Sequence, residues 1–309
     1  MDLTFRALVE LGRTLASLGY FFVTVTPETH RRVNARAPAL ASSLRDVFGW
    51  SRPFERRMLP AAMLDLLADA NALVESKQGL RSAVRFASLD GGLFVHSAFP
   101  TTEPDAVFFG PDTYRFCAAI ARASLGAERV VDVGCGSGAG GIVARRYAAS
   151  AVLVDINPQA LLHARVNAAL AGLDRIALVQ SDVLAEVDDP FDVIIANPPY
   201  MRDELERAYR HGGGSWGEAL SVRIVDQALR RLPRGGSLLL YTGTAVVAGD
   251  DCFLRAVRPL LERRGHAWRY EEVDPDVFGE ELENPTYSDV ERIAAVTLTV
   301  TKGDDGARA

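Results

Sequence analysis

The sequence predicts an α/β protein: a Rossmann-like, doubly wound sheet of seven strands, preceded by a smaller helical domain that ends in a β-hairpin. Three observations carry this prediction. Strands and helices alternate regularly after about residue 110 and not before. The turn Gly134-Cys135-Gly136-Ser137-Gly138 follows a β-branched run and opens a helix. The 309 residues, 48% hydrophobic and 24% charged, suffice for two domains with buried cores. The division falls between residues 1–107 and 108–309.

Apolar residues at helical spacing over 4–18, stopping at Gly19, and again over 38–48 and 59–75 predict three helices. Residues 81–99 alternate apolar and polar side chains around Asp90-Gly91-Gly92, a hairpin signal. Helices followed by a hairpin are compatible with a winged-helix-like module. Three prolines between 100 and 112 mark a connector. Then come helix 113–125, strand 129–133, helix 140–148, strand 151–155, helix 158–171, strands 175–179 and 191–196, helix 217–232, strand 236–242, helix 252–264, and strands 267–273 and 292–301. Such alternation places ligands at the carboxyl ends of the strands.

The net charge of -6 argues against a surface that grips nucleic acid throughout, but residues 30–57 hold a local surplus: Arg31, Arg32, Arg36, Arg45, Arg52, Arg56 and Arg57 against Asp46 and Glu55. With Trp50 and Phe54 interleaved, the segment fits an RNA backbone and a stacked base, or a solvated helical face. Cys117, Cys135 and Cys252 form no CxxC pair and the five histidines no metal pair, so neither a disulfide scaffold nor a metal site is expected. No apolar run approaches a membrane span of about 20 residues. Asp2 and Glu10 interrupt any signal-peptide pattern, so a soluble, cytoplasmic protein is expected.

The chemistry concentrates in four segments. Asp132-Val133 ends a strand, and Gly134, Gly136 and Gly138 turn the chain tightly against a ligand. This turn also fits a dinucleotide fingerprint, so a nicotinamide oxidoreductase remains open at this point. Asp155 stands at the tip of the next strand, suited to ribose hydroxyls of either cofactor. Asp182 follows the third strand, where a carboxylate or nearby backbone takes an adenine amino group or merely meets solvent. Asn197-Pro198-Pro199-Tyr200 follows the fourth. Two prolines fix φ and remove donors, leaving the carbonyls of Asn197 and Pro198 and the Asn197 amide as an acceptor-rich notch for a planar NH2 group.

In order and spacing, VDVGCGSG, VDINPQAL, SDVL and NPPY resemble motifs I to IV of class I S-adenosylmethionine-dependent methyltransferases of the amino-methylating type. The chain is similar to the release-factor glutamine methyltransferases and small-domain RNA methyltransferases over about residues 108–301. Phe109-Gly110-Pro111-Asp112-Thr113-Tyr114 partly echoes their Pro-x-x-Asp-Thr element, with Tyr114 where an acidic residue is usual.

The resemblance implies S-adenosylmethionine as cofactor, S-adenosylhomocysteine as product and no metal. It places Gly134, Gly136 and Gly138 near the methionine part, Asp132 at its amino end and Asp155 at the ribose, with Cys135 and Ile156 also among the cofactor-binding residues. Asp182 with Val183 would meet the adenine, and Thr113 and Asn197 would also line the cofactor site. Asn197, Pro198, Pro199 and Tyr200 would hold the acceptor nitrogen, with the Tyr200 ring stacked on it. Pro111, Asp112 and Tyr114 are substrate candidates by the echo, and His211 and Trp216 by their place in a glycine-rich loop after the fourth strand. The size of the extra domain, residues 1–107, points to a macromolecular acceptor, and the basic segment puts an RNA base amine slightly ahead of a protein glutamine amide. A small-molecule methyltransferase and a non-catalytic binding module are the rival readings; a nicotinamide enzyme leaves NPPY unexplained.

Overall fold

A computed structural model describes residues 2–36, 39–188, 190–203, 207, 209–262 and 265–303 of the chain. In α1 (Leu3–Ser17), Leu8, Leu11 and Leu15 recur at three- and four-residue spacing and are at most 1% exposed, which turns one stripe of the helix into core. The helix α2 (Pro27–Asn34) is additional to those expected. Its signal is nonetheless in the chain: Thr26 accepts the Thr29 N–H, and Pro27 stands in the first turn. The helix expected over 38–48 is confined to α3 (Leu44–Phe48), opened by Ser43, and residues 37 and 38 lie outside the described residues.

Of the stretch 59–75 only α4 (Ala61–Asp69) is a full α-helix, because Asn71 adopts a left-handed φ of 53° just beyond it. The chain then forms an unforeseen hairpin, β1 (Leu73–Ser76) with β2 (Gly79–Ser82). The expected hairpin follows as β3 (Val84–Leu89) and β4 (Gly92–Ser97). Its turn residues Asp90 and Gly91 have φ of 51° and 80°, as a type I′ turn requires.

The second half alternates as expected: α5 (Pro111–Ala123), β5 (Ala127–Val133), α6 (Ala139–Ala144), β6 (Ala148–Asp155), α7 (Pro158–Leu170), β7 (Ile176–Gln180), β8 (Val193–Ala196), α8 (Ala219–Arg231), β9 (Ser237–Val247), β10 (Asp250–Asp251), α9 (Cys252–Glu262), β11 (Ala267–Asp274) and β12 (Arg292–Thr301). Helix α6 stops short of residue 148 because Ala148 already pairs with Ala127 in the sheet. Residues 263 and 264 of the expected 252–264 helix lie outside the described residues. The strand order is β7-β6-β5-β8-β9-β12-β11, with β10 folded back on β9. The first five strands are parallel, and β12 runs antiparallel to both its neighbours. Chain order reverses between β5 and β8, which opens a crevice at their carboxyl ends.

The N-terminal half closes its core on α7: Leu11, Phe86 and Val95 cluster with Val166, and Leu170 packs against them. Asn167, 1% exposed, joins the halves. Its side-chain oxygen accepts the Val95 N–H at 2.7 Å, and its amide donates to Val95 O at 3.0 Å and Ser137 O at 2.8 Å. One amide thus ties β4 to the glycine turn.

Candidate functional site

The crevice holds a cleft of about 310 Å³ with walls from β5, β6, the segment that follows β8, α5 and α8. On its floor, Gly134 and Gly136 have φ of 67° and 52°, and nothing lies within 4 Å of where a Cβ would stand on either, so both present bare backbone to open space. Gly138 does not line the cleft; a Cβ there would lie 2.9 Å from Ala164 Cβ, so its role is close packing on α7.

Asp132, the penultimate residue of β5, is 1% exposed. Its Oδ2 accepts the Gly141 N–H at 2.7 Å, while the buried Oδ1 has no partner among the described residues. Burial pushes this carboxyl up to about 7, opposed by the Gly141 bond and reinforced by nearby Asp155. A buried carboxylate oxygen left open at a cleft is a place for a cation or a strong donor. Asp155 ends β6 and accepts the Gly136 N–H at 2.9 Å and the Asn157 N–H at 2.9 Å, one on each oxygen. Burial raises its carboxyl as well, against those bonds. Its neighbour Ile156 is 57% exposed on the cleft wall, an apolar surface waiting for a flat partner.

Asp182 lines the cleft but is already paired, its oxygens taking both terminal nitrogens of Arg223 at 2.9 and 2.5 Å. Val183 beside it has φ of 56°, rare for a β-branched residue and a sign of local strain at the site. Cys135 and Thr113 also line the cleft; Thr113 caps α5 by accepting the Gly110 N–H at 3.2 Å, and burial pushes the Cys135 thiol well up.

Asn197, Pro198 and Pro199 form the far wall. The Asn197 side chain has no hydrogen-bond partner among the described residues, and no backbone N–H among them donates to the carbonyl of Asn197 or Pro198. Tyr200 differs from the sequence reading. Its ring is only 8% exposed and does not line the cleft, because it is turned into a slot between β9 and α5 where its hydroxyl donates to Asp112. Asp112 is therefore a buried acceptor at 4% exposure, although it borders the cleft.

The other substrate candidates do not meet there. Pro111 begins α5, and Tyr114 accepts the Thr24 N–H at 3.0 Å with its ring edge-on to Phe109. His211 pairs with Met201 in an isolated bridge, and Trp216 covers the Arg202 guanidinium at 5.2 Å. In the basic segment, Phe54 is fully buried in the N-terminal core, so it cannot stack a base, and Trp50 packs edge-on against Phe22. Arg31 and Arg32 pair with Glu28, Arg52 with Asp46 and Arg57 with Glu55. Sequence reasoning missed Phe108, Tyr209 and Arg223 on the cleft wall. The Phe108-Phe109 doublet beside the connector was a usable signal; Tyr209 lies in a loop that only tertiary structure carries there, its hydroxyl donating to Thr101 O at 2.5 Å.

Among the described residues, no group of His, Cys, Asp and Glu could hold a metal ion, and no helix is long and apolar enough to cross a membrane.

Residues 118–248 match the family model described as methyltransferase small domain. A release factor glutamine methyltransferase of Deinococcus radiodurans is 34% identical over 165 residues, which cover 50% of this chain and 55% of that protein. A putative protein N5-glutamine methyltransferase of Methanocaldococcus jannaschii is 31% identical over 138 residues, 42% of this chain and 68% of the relative. The chain thus spans about half the length of the release factor glutamine methyltransferases that it matches. Among solved structures, Trm5b of Pyrococcus abyssi aligns with a TM-score of 0.52 at 14% identity, over 91% of this chain and 79% of that one. A tRNA methyltransferase of M. jannaschii aligns with a TM-score of 0.51 at 19% identity, over 74% and 61%. At such identities the likeness is one of fold.

Proposed function

Because the chain belongs to the methyltransferase small domain family of class I S-adenosylmethionine-dependent methyltransferases, we propose that it transfers a methyl group to a planar NH2 nitrogen of a macromolecule, residues 1–107 presenting the acceptor to residues 108–309. The observation that carries this is the open acceptor set at the cleft wall: an Asn197 amide with no partner among the described residues, beside the carbonyls of Asn197 and Pro198, which take no N–H from them.

The floor fits the cofactor. Asp132 Oδ1 would take its ammonium, the bare backbone at Gly134 and Gly136 leaves room for its methionine chain, and Asp155 and Ile156 suit a ribose and an adenine face. Asp182, paired with Arg223, would meet the adenine edge together with the Val183 backbone. When bound, S-adenosylmethionine supplies a sulfonium-activated methyl group. Asn197 would accept one N–H of the acceptor through its side-chain oxygen, and Pro198 the other through its carbonyl. That grip turns the nitrogen lone pair toward the methyl carbon and stabilises the positive charge that grows as the N–C bond forms and the S–C bond breaks. The proton leaves to water afterwards.

For the acceptor, the exposed arginines 31, 32, 36, 45, 56 and 57 support an RNA base amine. A protein glutamine amide is the second reading, supported by what the two glutamine methyltransferases are named for. Tritiated S-adenosylmethionine incubated with the protein and with separate RNA, protein and small-molecule fractions of a cell extract tests both. Label in RNA or in protein selects between them, and label confined to small molecules overturns a macromolecular acceptor.

A further inference from the structure

Tyr200 closes a network that the chemistry above leaves unused. Its ring lies against β9, where a Cβ on Gly243 would fall 2.1 Å from Tyr200 Cε2. Its hydroxyl donates to Asp112 Oδ2. The other oxygen of Asp112 accepts the Tyr241 hydroxyl at 2.8 Å and Arg115 Nη1 at 3.2 Å. Arg115 in turn donates to Asp274 Oδ2 at 2.6 Å, so the carboxylate is braced from α5, β9 and the end of β11. The main chain of Tyr200 is held from the opposite side: a Cβ on Gly217 would fall 2.0 Å from Tyr200 O, and one on Gly212 would fall 2.7 Å from Tyr200 Cα.

Only Pro198 and Pro199 separate this anchored residue from Asn197. Both have φ fixed by the ring and no N–H with which to change partners. A segment so stiff passes any displacement of Tyr200 into the Pro198 carbonyl and the Asn197 side chain. A carboxylate 4% exposed is costly to bury, and its three donors are what make it tolerable. Burial raises this carboxyl, and the bonds from Tyr200, Tyr241 and Arg115 work against that rise.

We propose that Asp112 is a positioning residue for methyl transfer: through the Tyr200 hydroxyl, its carboxylate sets the aim of the Asn197 amide and the Pro198 carbonyl. The inference rests on the function proposed above. It also reassigns the aromatic residue of the fourth segment from a stacking surface to an anchor.

The test compares Tyr200→Phe, Asp112→Asn and the double variant with the unaltered protein. Each is assayed with tritiated S-adenosylmethionine and whichever extract fraction the unaltered protein labels. Calorimetry measures the cofactor Kd in parallel. Each single variant is expected to lose about 10- to 100-fold in kcat, the scale of a misaimed reacting group. Cofactor Kd should stay within about threefold, and the double variant should match the worse single one within about twofold, because one link is cut twice. Losses that multiply, an unchanged kcat, or a loss expressed in cofactor Kd overturns the proposal. If Asp112→Asn does not fold, Tyr241→Phe takes its place, with a smaller kcat loss expected alone and none added to that of Tyr200→Phe; an added loss overturns the proposal. If the unaltered protein labels no fraction, the function proposed above fails and this inference falls with it. Labelling by the unaltered protein with full kcat in Tyr200→Phe sinks this inference alone.

Discussion

Around the cleft the protein buries carboxylates, whereas the N-terminal half buries bases. Asp112, Asp132 and Asp155 are all raised by burial. In the N-terminal half Arg85, 3% exposed, donates to Ser97 O at 3.2 Å and contacts His30 Nδ1 at 3.3 Å with no carboxylate partner among the described residues, and burial brings it down to about 10. His30 beside it is pushed down to about 4 by burial and by the Arg85 charge. The contrast separates a site from a support. A buried acid with an open oxygen needs a cationic ligand, whereas buried bases satisfied by carbonyls and by one another need only to remain dry.

The largest effect should come from the acid side. Asp132→Ala is expected to weaken S-adenosylmethionine binding by about 10²-fold, the scale of removing one partner from a buried charge pair. Cofactor binding near pH 6 should also release a proton, since Asp132 titrates near 7 without ligand and would ionise against an ammonium. The calorimetric enthalpy should therefore depend on the buffer's ionisation enthalpy. A buffer-independent enthalpy would place the ammonium elsewhere.

Next comes the joint between the two regions. Asn167→Leu strips both polar groups of Val95, and the Ser137 carbonyl, of their side-chain partner. It should cost about 2–3 kcal/mol in denaturant unfolding. A loss under about 0.5 kcal/mol, the range of a bland surface change, would mean that the Asn167 bonds do not hold the halves together.

The smallest effect is on the basic side and has a definite sign. The folded pKa of His30 lies below its unfolded value, so the unfolded chain binds more protons between about 4 and 6.5. Stability from this group is present near neutrality and is lost as pH falls through that window. Asp132 works oppositely in the ligand-free protein: its folded pKa is raised, so its contribution falls as pH rises from about 4 toward 7. His30→Gln should remove roughly 1–2 kcal/mol of the loss between pH 7 and 5. An unchanged pH profile in that variant would show that His30 remains neutral or exposed in both states.

The same contrast explains what was legible in the sequence. The sheet and its glycine turn could be read because each segment's ligand-facing residues sit where a strand ends, so position in the chain is position in space. Asp132, Asp155 and Asn197 reach one cleft for that reason. The Tyr200 ring could not be read: its direction depends on a hydroxyl partner 88 residues away and on the missing side chain of Gly243. Phe54 looked available for stacking because its neighbours are charged, yet its burial depends on the β2 strand, whose Leu80 exchanges backbone hydrogen bonds with it at 2.8 Å. In the N-terminal half local signals competed. The apolar run after residue 59 outweighs Asn71, whose left-handed backbone ends the helix, and the Thr26-Pro27 start of α2 opens a polar helix with no apolar periodicity to mark it.

The most direct measurement is methyl transfer from tritiated S-adenosylmethionine by the unaltered protein and by Asn197→Ala, with calorimetric binding of the cofactor to both. If the open acceptor set holds the nitrogen, the substitution lowers kcat by about 10²–10³-fold and leaves cofactor Kd within a few-fold. Equal transfer by both proteins, or a loss that appears only in Kd, would contradict the assignment of Asn197 to the methyl acceptor.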